Sequence, residues 1–351
     1  MKVGIITFFS AHNYGAVLQA FALKEWIETN IPETEIFFVN YMPEKMKKLY
    51  SMSPFYFNVK TSIKRLLTSR RRFLQSKAFN EFISSHFRTT APVFESNISD
   101  ILNCFEILFY GSDQIWNNII TGNTDIYWGE GSKNSKIFTY AVSLGTDVIN
   151  EFQIKHIQEY CPLFKGLSVR ETQSRDIINR YTGIKPEIVV DPVYLLEENQ
   201  WRNISKVRGS LPSKYLLYYS LRKDEKLIKA TEDLSKEHNL PIIVIHPTGE
   251  IQKIQGQQLY DVGPDEFIGL IEGAEYICTN SFHAVVFSSI FNKRVIHCPN
   301  KASKSRVNSL LSLFDKTECN DDIIDFSALS HNKIECMKNY SKEYIRNAFS
   351  K

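Results

Sequence analysis

Val3-Gly-Ile-Ile-Thr-Phe-Phe9 is a near-continuous apolar run, and Ser10-Ala-His-Asn-Tyr-Gly15 follows it as a polar loop. Ala16, Leu18, Ala20, Phe21, Leu23 and Trp26 then recur at helical spacing, before Glu35-Ile-Phe-Phe-Val-Asn40. A run apolar on both faces suits a parallel strand covered on both sides. The opening unit therefore reads strand–loop–helix–strand, a βαβ unit.

The same grammar continues outward. Ile107–Tyr110, Lys136–Ser143, Gly166–Arg170 and Glu187–Val190 read as strands, with helices over Phe73–Phe87 and Glu171–Tyr181 between them. Asp191-Pro192 and Gly209-Ser-Leu-Pro212 interrupt the pattern. A second series then starts. Strands are expected at Lys214–Ser220, Pro241–His246, Glu275–Thr279 and Arg294–His297, with helices at Asp224–His238, Pro264–Glu272, Phe282–Phe291, Arg306–Phe314 and Asn332–Phe349. The expected fold is α/β, two Rossmann-like doubly wound domains facing a cleft. The first spans 1–195, with a basic helical excursion at 45–90. The second spans 196–330, and a final helix occupies 331–351.

Composition sets limits. The chain has 351 residues, 43% hydrophobic and 23% charged, which excludes disordered and fibrous classes. A net charge of +3 is too weak to imply nucleic acid. Its distribution is uneven: residues 45–80 hold ten Lys or Arg and no Asp or Glu. Such a segment reads either as a solvated basic face or as a contact with an anionic membrane surface. Six cysteines without C-x-x-C or zinc spacing suit reduced thiols in a cytoplasmic protein, and no metal ligand set is visible. The first residues read as a strand rather than a signal peptide.

Open α/β sheets bind ligands beyond the carboxyl ends of their strands, so polar residues there carry the functional signal. Thr279-Asn280-Ser281-Phe282-His283 is the sharpest such site. Ser281 is placed to cap a helix whose first N–H groups attract an anion, and His283 lies in its first turn. Helix-start histidines also occur in cores, so both readings stand. Arg170, at the end of a strand, could clamp an anion or pair with Glu171 or a nearby Asp. Lys301, Lys304 and Arg306 follow the last strand and could complement a doubly charged anion, or form a solvated turn. Gly111-Ser-Asp113-Gln114-Ile-Trp116-Asn117 mixes a carboxylate, amides and an aromatic, as sugar sites do, or as a capped turn with a core Trp does. Asn13 lies in another ligand-facing loop. No dinucleotide fingerprint, P-loop, nucleophile elbow or H-E-x-x-H motif is present.

At these motifs the chain resembles the polysaccharide pyruvyl transferase family. Asn13-Tyr-Gly15, Gly111–Asn117, Tyr140-Ala-Val-Ser-Leu-Gly145, Ser168-Val-Arg-Glu171, Asp191-Pro-Val193, Val262-Gly-Pro264, Thr279–Ala284 and Ser305-Arg306 stand in family order. The resemblance implies a fold similar to the GT-B glycosyltransferases, phosphoenolpyruvate as co-substrate and no resident cofactor. It implies a sugar or lipid-linked oligosaccharide acceptor, as in exopolysaccharide or capsule synthesis. It assigns the family's functional His to His283 and its strand-end Arg to Arg170, with a third cation among Lys301, Lys304 and Arg306. Asn280 and Ser281 join the donor side. Asp113 is the expected proton acceptor, and Asn13, Gln114, Trp116 and Asn117 the expected acceptor contacts. The chain has Asn280-Ser281-Phe282 where some members carry a basic residue before the His, which leaves the acceptor open. Two other readings remain: a nucleotide-sugar glycosyltransferase on the same fold, and a non-catalytic glycan-binding scaffold.

Overall fold

The computed structural model describes residues 1–50, 66, 68–146, 148–247, 252–298, 301–316 and 323–350, as backbone alone at 49 and 301–305. Strands β1 (Lys2–Ile6), β2 (Glu35–Phe38), β3 (Ile107–Tyr110) and β4 (Lys136–Thr139) form a parallel sheet in the order β2-β1-β3-β4. β5 (Ser168–Val169) and β6 (Glu187–Ile188) pair in parallel beyond it and join it through the Phe138–Gly166 and Val142–Val169 bridges. A second sheet runs β12-β11-β10-β7-β8-β9. Its members are β7 (Leu216–Tyr219), β8 (Ile242–Ile245), β9 (Gln257–Leu259), β10 (Tyr276–Thr279), β11 (Arg294–His297) and the antiparallel β12 (Ile324–Asp325). The strands that carry the apolar runs are buried along almost their whole length, as that pattern requires.

Helices connect them: α1 (Tyr14–Asn30), α2 (Glu44–Tyr50), α3 (Ser69–His86), α4 (Ile98–Leu102), α5 (Asn118–Thr121), α6 (Glu151–Tyr160) and α7 (Thr172–Thr182) in the first half. In the second half come α8 (Glu198–Ile204), α9 (Glu225–His238), α10 (Pro264–Gly273), α11 (Phe282–Ile290), α12 (Lys301–Leu311) and α13 (Asn332–Ser350). Asn13 caps α1 by accepting from the Ala16 N–H at 3.2 Å, and Asp224 caps α9.

Several strands are shorter than their apolar runs. β1 ends at Ile6 although the run reaches Phe9, and β4 ends at Thr139 because Ala141 adopts a left-handed φ of 51°. β9 and β12 are additional. Gln257-Gln-Leu259 has no apolar run to announce it, and β12 is two residues long.

Sheet order decides where a site can lie. In the first sheet the connections reverse direction between β1 and β3, and in the second between β7 and β10. A crevice opens at the carboxyl ends of such strand pairs. The loops there are Thr7–Asn13, Gly111–Asn117, Ser220–Asp224 and Asn280–Ser281.

The two halves are packed together. The Tyr14 ring stacks on Phe267 of α10 at 4.2 Å, and its hydroxyl donates to the Val262 carbonyl at 3.0 Å. Trp201 of α8 lies between Phe21 of α1 and Phe287 of α11, at 5.9 and 4.9 Å. Buried aromatic pairs contribute about 0.5–1.5 kcal/mol each beyond area burial. α13 crosses back to the first sheet. Tyr344 donates to the Thr139 carbonyl at 2.9 Å, Ser341 accepts from the Val190 N–H at 2.9 Å, and Phe349 packs on Phe109. Among the described residues no helix is long and apolar enough to cross a membrane.

Candidate functional site

Arg170 leaves the end of β5 with its side chain buried. Its Nε donates to Glu171 Oε1 at 2.9 Å and its Nη1 to Asp191 Oδ2 at 2.5 Å. The salt-bridge reading of Arg170 is thus realised with both carboxylates at once. Nη2 is left over: it is buried and has no hydrogen-bond partner among the described residues. Burial works against the charge, but Glu171, Asp191 and Asp113 more than offset it and hold the guanidinium above its usual pKa.

His283 arrives from the other half. Ser281 caps α11 by accepting from the Ala284 N–H at 3.4 Å, which puts His283 in the first turn. Its Nε2 stands 3.4 Å from Asp191 Oδ2 and makes no hydrogen bond among the described residues. Asp191 is therefore the carboxylate common to Arg170 and His283, and its other oxygen accepts from the Val193 N–H at 3.2 Å. Burial alone would raise the Asp191 pKa. His283, Arg170 and the Val193 N–H together hold it well below the usual carboxylate range. The Nδ1 edge of His283 lies on Gly15, where any Cβ would overlap the imidazole. Gly15 therefore admits the catalytic candidate of one half against the first helix of the other.

Phe282 brings two cations together. Arg170 lies 5.0 Å and Arg306 5.5 Å from its ring centre, within cation–π range. Burial, and then the like charge of Arg170, lower the Arg306 pKa. An anion bound beside them would offset both effects by attraction. A cavity of about 120 Å³ adjoins these groups, lined by Arg170, Asp191, Phe282 and Arg306, with Leu310 and Met337 on its apolar side.

The Gly111–Asn117 loop begins with a cis Gly111–Ser112 peptide, and Asp113 adopts a left-handed φ of 67°. A non-glycine residue there marks a conformation the surroundings must impose. The Ser143 N–H donates to the Asp113 carbonyl at 3.0 Å and helps impose it. The Asp113 carboxylate acts electrostatically on both Arg170 and Arg306, so it lies in their neighbourhood.

The matching family model is described as polysaccharide pyruvyl transferase, and it covers residues 13–302. The chain belongs to the polysaccharide pyruvyl transferase family. Structural neighbours agree on architecture. A Listeria monocytogenes protein described as a UDP-N-acetylglucosamine 2-epimerase matches at TM-score 0.51 and 10% identity, over 100% of this chain and 89% of that one. Anabaena HepE, solved with UDP-glucose, matches at TM-score 0.50 and 9% identity, over 100% and 99%. At such identities the likeness concerns the fold alone, which is α/β and GT-B-like. No curated protein matches in sequence.

In this pyruvyl transferase family member the fold gathers His283 and Arg170 on Asp191, with Arg306 on the same cavity and Asp113 in the electrostatic neighbourhood of both arginines. The side chains of Lys301 and Lys304 lie outside the described residues. Other expected contacts are engaged elsewhere. Trp116 is a correction: it is 1% exposed, stacks on Trp128 at 4.4 Å and donates to the Tyr127 carbonyl, so it belongs to the core and not to an acceptor surface. Asn117 is buried and caps α5, and its Nδ2 donates to Gln114 Oε1 at 2.8 Å. Both press on Gly145, whose φ of 68° and lack of Cβ let the two loops meet. Asn280 is also buried; its amide accepts from the Leu221 N–H at 2.8 Å and fixes the loop after β7. Asn13 and Gln114 remain partly exposed.

Three site residues carry no role in the sequence reading. Asp191 reads there as a turn before Pro192. Phe282 and Gly15 are quoted only as motif positions. The usable signal for Asp191 was a carboxylate at the end of a strand, the same signal that singled out Arg170.

Proposed function

We propose that the protein transfers the pyruvyl unit of phosphoenolpyruvate to two hydroxyls of one sugar, in a glycan or a lipid-linked polysaccharide precursor. The product is a pyruvate ketal, and inorganic phosphate is released. The observation that carries this reading is the cation cluster. Arg170 and Arg306 both lie within cation–π range of Phe282, while Arg170 Nη2 and His283 Nε2 are buried without hydrogen-bond partners among the described residues. Buried polar groups left without partners are costly, and a small anion bearing both carboxylate and phosphate supplies acceptors for each.

In the reaction a proton is delivered to C3 of the enol, and C2 gains oxocarbenium character. A sugar hydroxyl adds to C2 and gives up its proton. The bond from C2 to the phosphate oxygen breaks with its electron pair going to phosphate, and the neighbouring hydroxyl closes the ketal at C2 and gives its proton to the departing phosphate. His283 is the acid. Asp191, ionised and shared with Arg170, fixes the direction of its Nε2. Asp113 receives the proton of the attacking hydroxyl, and Arg170 and Arg306 stabilise the departing phosphate charge. Ser281 and the start of α11 complete the donor side, with Asn280 holding the adjoining loop, and Asn13 and Gln114 the acceptor side. The protein works at the cytoplasmic side of polysaccharide synthesis.

Calorimetry tests the donor. Saturable phosphoenolpyruvate binding is expected, weakened about tenfold or more in Arg306→Ala, as loss of a charge-assisted hydrogen bond implies. Binding of UDP-glucose without phosphoenolpyruvate would instead make the protein a nucleotide-sugar glycosyltransferase. Glycan binding with neither donor would make it a scaffold.

A further inference from the structure

Helix α3 has two faces. Arg72, Gln75, Phe79 and Phe82 point inward and are buried. Gln75 donates to the Tyr14 hydroxyl at 3.2 Å and to the His246 carbonyl at 3.0 Å, so the inner face ties the two halves together beside the crevice. The outer face carries Arg70, Phe73, Leu74 and Lys77, at the three- and four-residue spacing of one helical stripe. Phe73 is 61% exposed and Leu74 38%, and Leu66, just upstream, is 67% exposed.

Two large apolar side chains side by side on a solvent-facing helix, flanked by cations, need an explanation beyond solubility. The surrounding charge narrows it. Residues 45–80 contain no carboxylate. Lys77 meets Glu81 at 3.7 Å with both side chains well exposed, a pairing too weak to cancel the charge. The nearby acids of the second half are matched by their own cations: Asp265 by Lys206 at 2.6 Å, and Asp261 and Glu266 by Arg208 at 2.9 and 2.7 Å. Arg71 is engaged on the Tyr260 ring at 3.9 Å. The outward charge of the stripe is therefore basic.

We propose that this face of α3 docks on an anionic lipid bilayer, with Phe73 and Leu74 entering the acyl boundary and Arg70 and Lys77 meeting the headgroups. Exposed apolar side chains supply the insertion, and basic side chains supply selectivity for acidic lipid. Docking here would bring the membrane to the helix whose inner face borders the crevice.

Co-sedimentation with vesicles tests this on the full chain. Vesicles of phosphatidylcholine and phosphatidylglycerol at 7:3 are compared with phosphatidylcholine alone, at low and high salt, so about 30% of the lipid is anionic in one arm. The expected result is binding to the anionic vesicles that high salt weakens. Phe73→Ser with Leu74→Ser should lower partitioning about tenfold or more. Arg70→Glu with Lys77→Glu should remove the preference for anionic lipid. Phosphoenolpyruvate binding, read by calorimetry on the same samples, should be unchanged in both pairs. Absence of vesicle binding, equal binding to both lipids, or partitioning indifferent to the Phe73 and Leu74 changes would overturn the proposal. Dimer formation lost in the serine pair would assign the face to a second copy instead.

Discussion

Arg170→Ala is expected to lose measurable phosphoenolpyruvate binding and about 3–5 kcal/mol of stability, the range for breaking a buried ion pair by removing one partner. The Glu171 and Asp191 side chains it would strand are 7% and 2% exposed, so water cannot replace the guanidinium. Arg170→Lys separates charge from geometry. An ammonium keeps the charge but has no planar fork to meet two carboxylates and an incoming anion together. It should fold and bind weakly. The stability loss should also depend on pH. Asp191 has a depressed pKa in the folded state, so its contribution is present above the unfolded value near 4 and is lost as pH falls toward the folded one. Without Arg170 that depression shrinks. The gap in urea stability between wild type and Arg170→Ala should therefore be widest near pH 7 and narrow below about pH 4. A gap that stays constant to pH 3 would mean that the guanidinium contributes by packing and not through these carboxylates.

The parts of this site legible in the sequence are those written in local grammar. Tyr276–Thr279 is apolar and buried, Ser281 is a cap, and α11 begins one residue later, so His283 could be placed in a first helical turn from the residues alone. Arg170 was legible by the same rule, because β5 ends one residue before it. What local grammar omits is the partner across space. Asp191 is 92 residues from His283, and nothing near either position announces their 3.4 Å approach. Trp116 shows the converse. An aromatic beside Asp113, Gln114 and Asn117 has the composition of a sugar platform, and only the packing of Trp128 over it assigns it to the core. The basic excursion divides in the same way. Its charge was visible in the composition, whereas the partition of α3 into an inner face holding Gln75 and an outer face presenting Phe73 depends on what the helix packs against.

Gly15→Ala should be almost as damaging to turnover as His283→Ala, although it removes no functional group. Positioned acid–base catalysis contributes on the order of 100 to 10,000-fold, so His283→Ala should lower turnover at least by the smaller figure. A methyl on Gly15 overlaps the Nδ1 edge of the imidazole, and the ring is buried with Asp191 on its other side. The ring must either swing away from Asp191 or push α1 away from α11. The second course disturbs Tyr14, whose ring stacks on Phe267 and whose hydroxyl is fixed to Val262. The first course disturbs only the acid. Moving the ring should reduce turnover by about 100-fold or more while phosphoenolpyruvate binding, which rests mainly on the charges of Arg170 and Arg306, falls much less. The two courses are distinguishable. A displaced ring leaves the melting temperature near that of the wild type, and a displaced helix lowers it. Near-normal turnover in a folded Gly15→Ala protein would show that the imidazole can leave its place against Asp191 without consequence, and His283 would then lose its role as the acid.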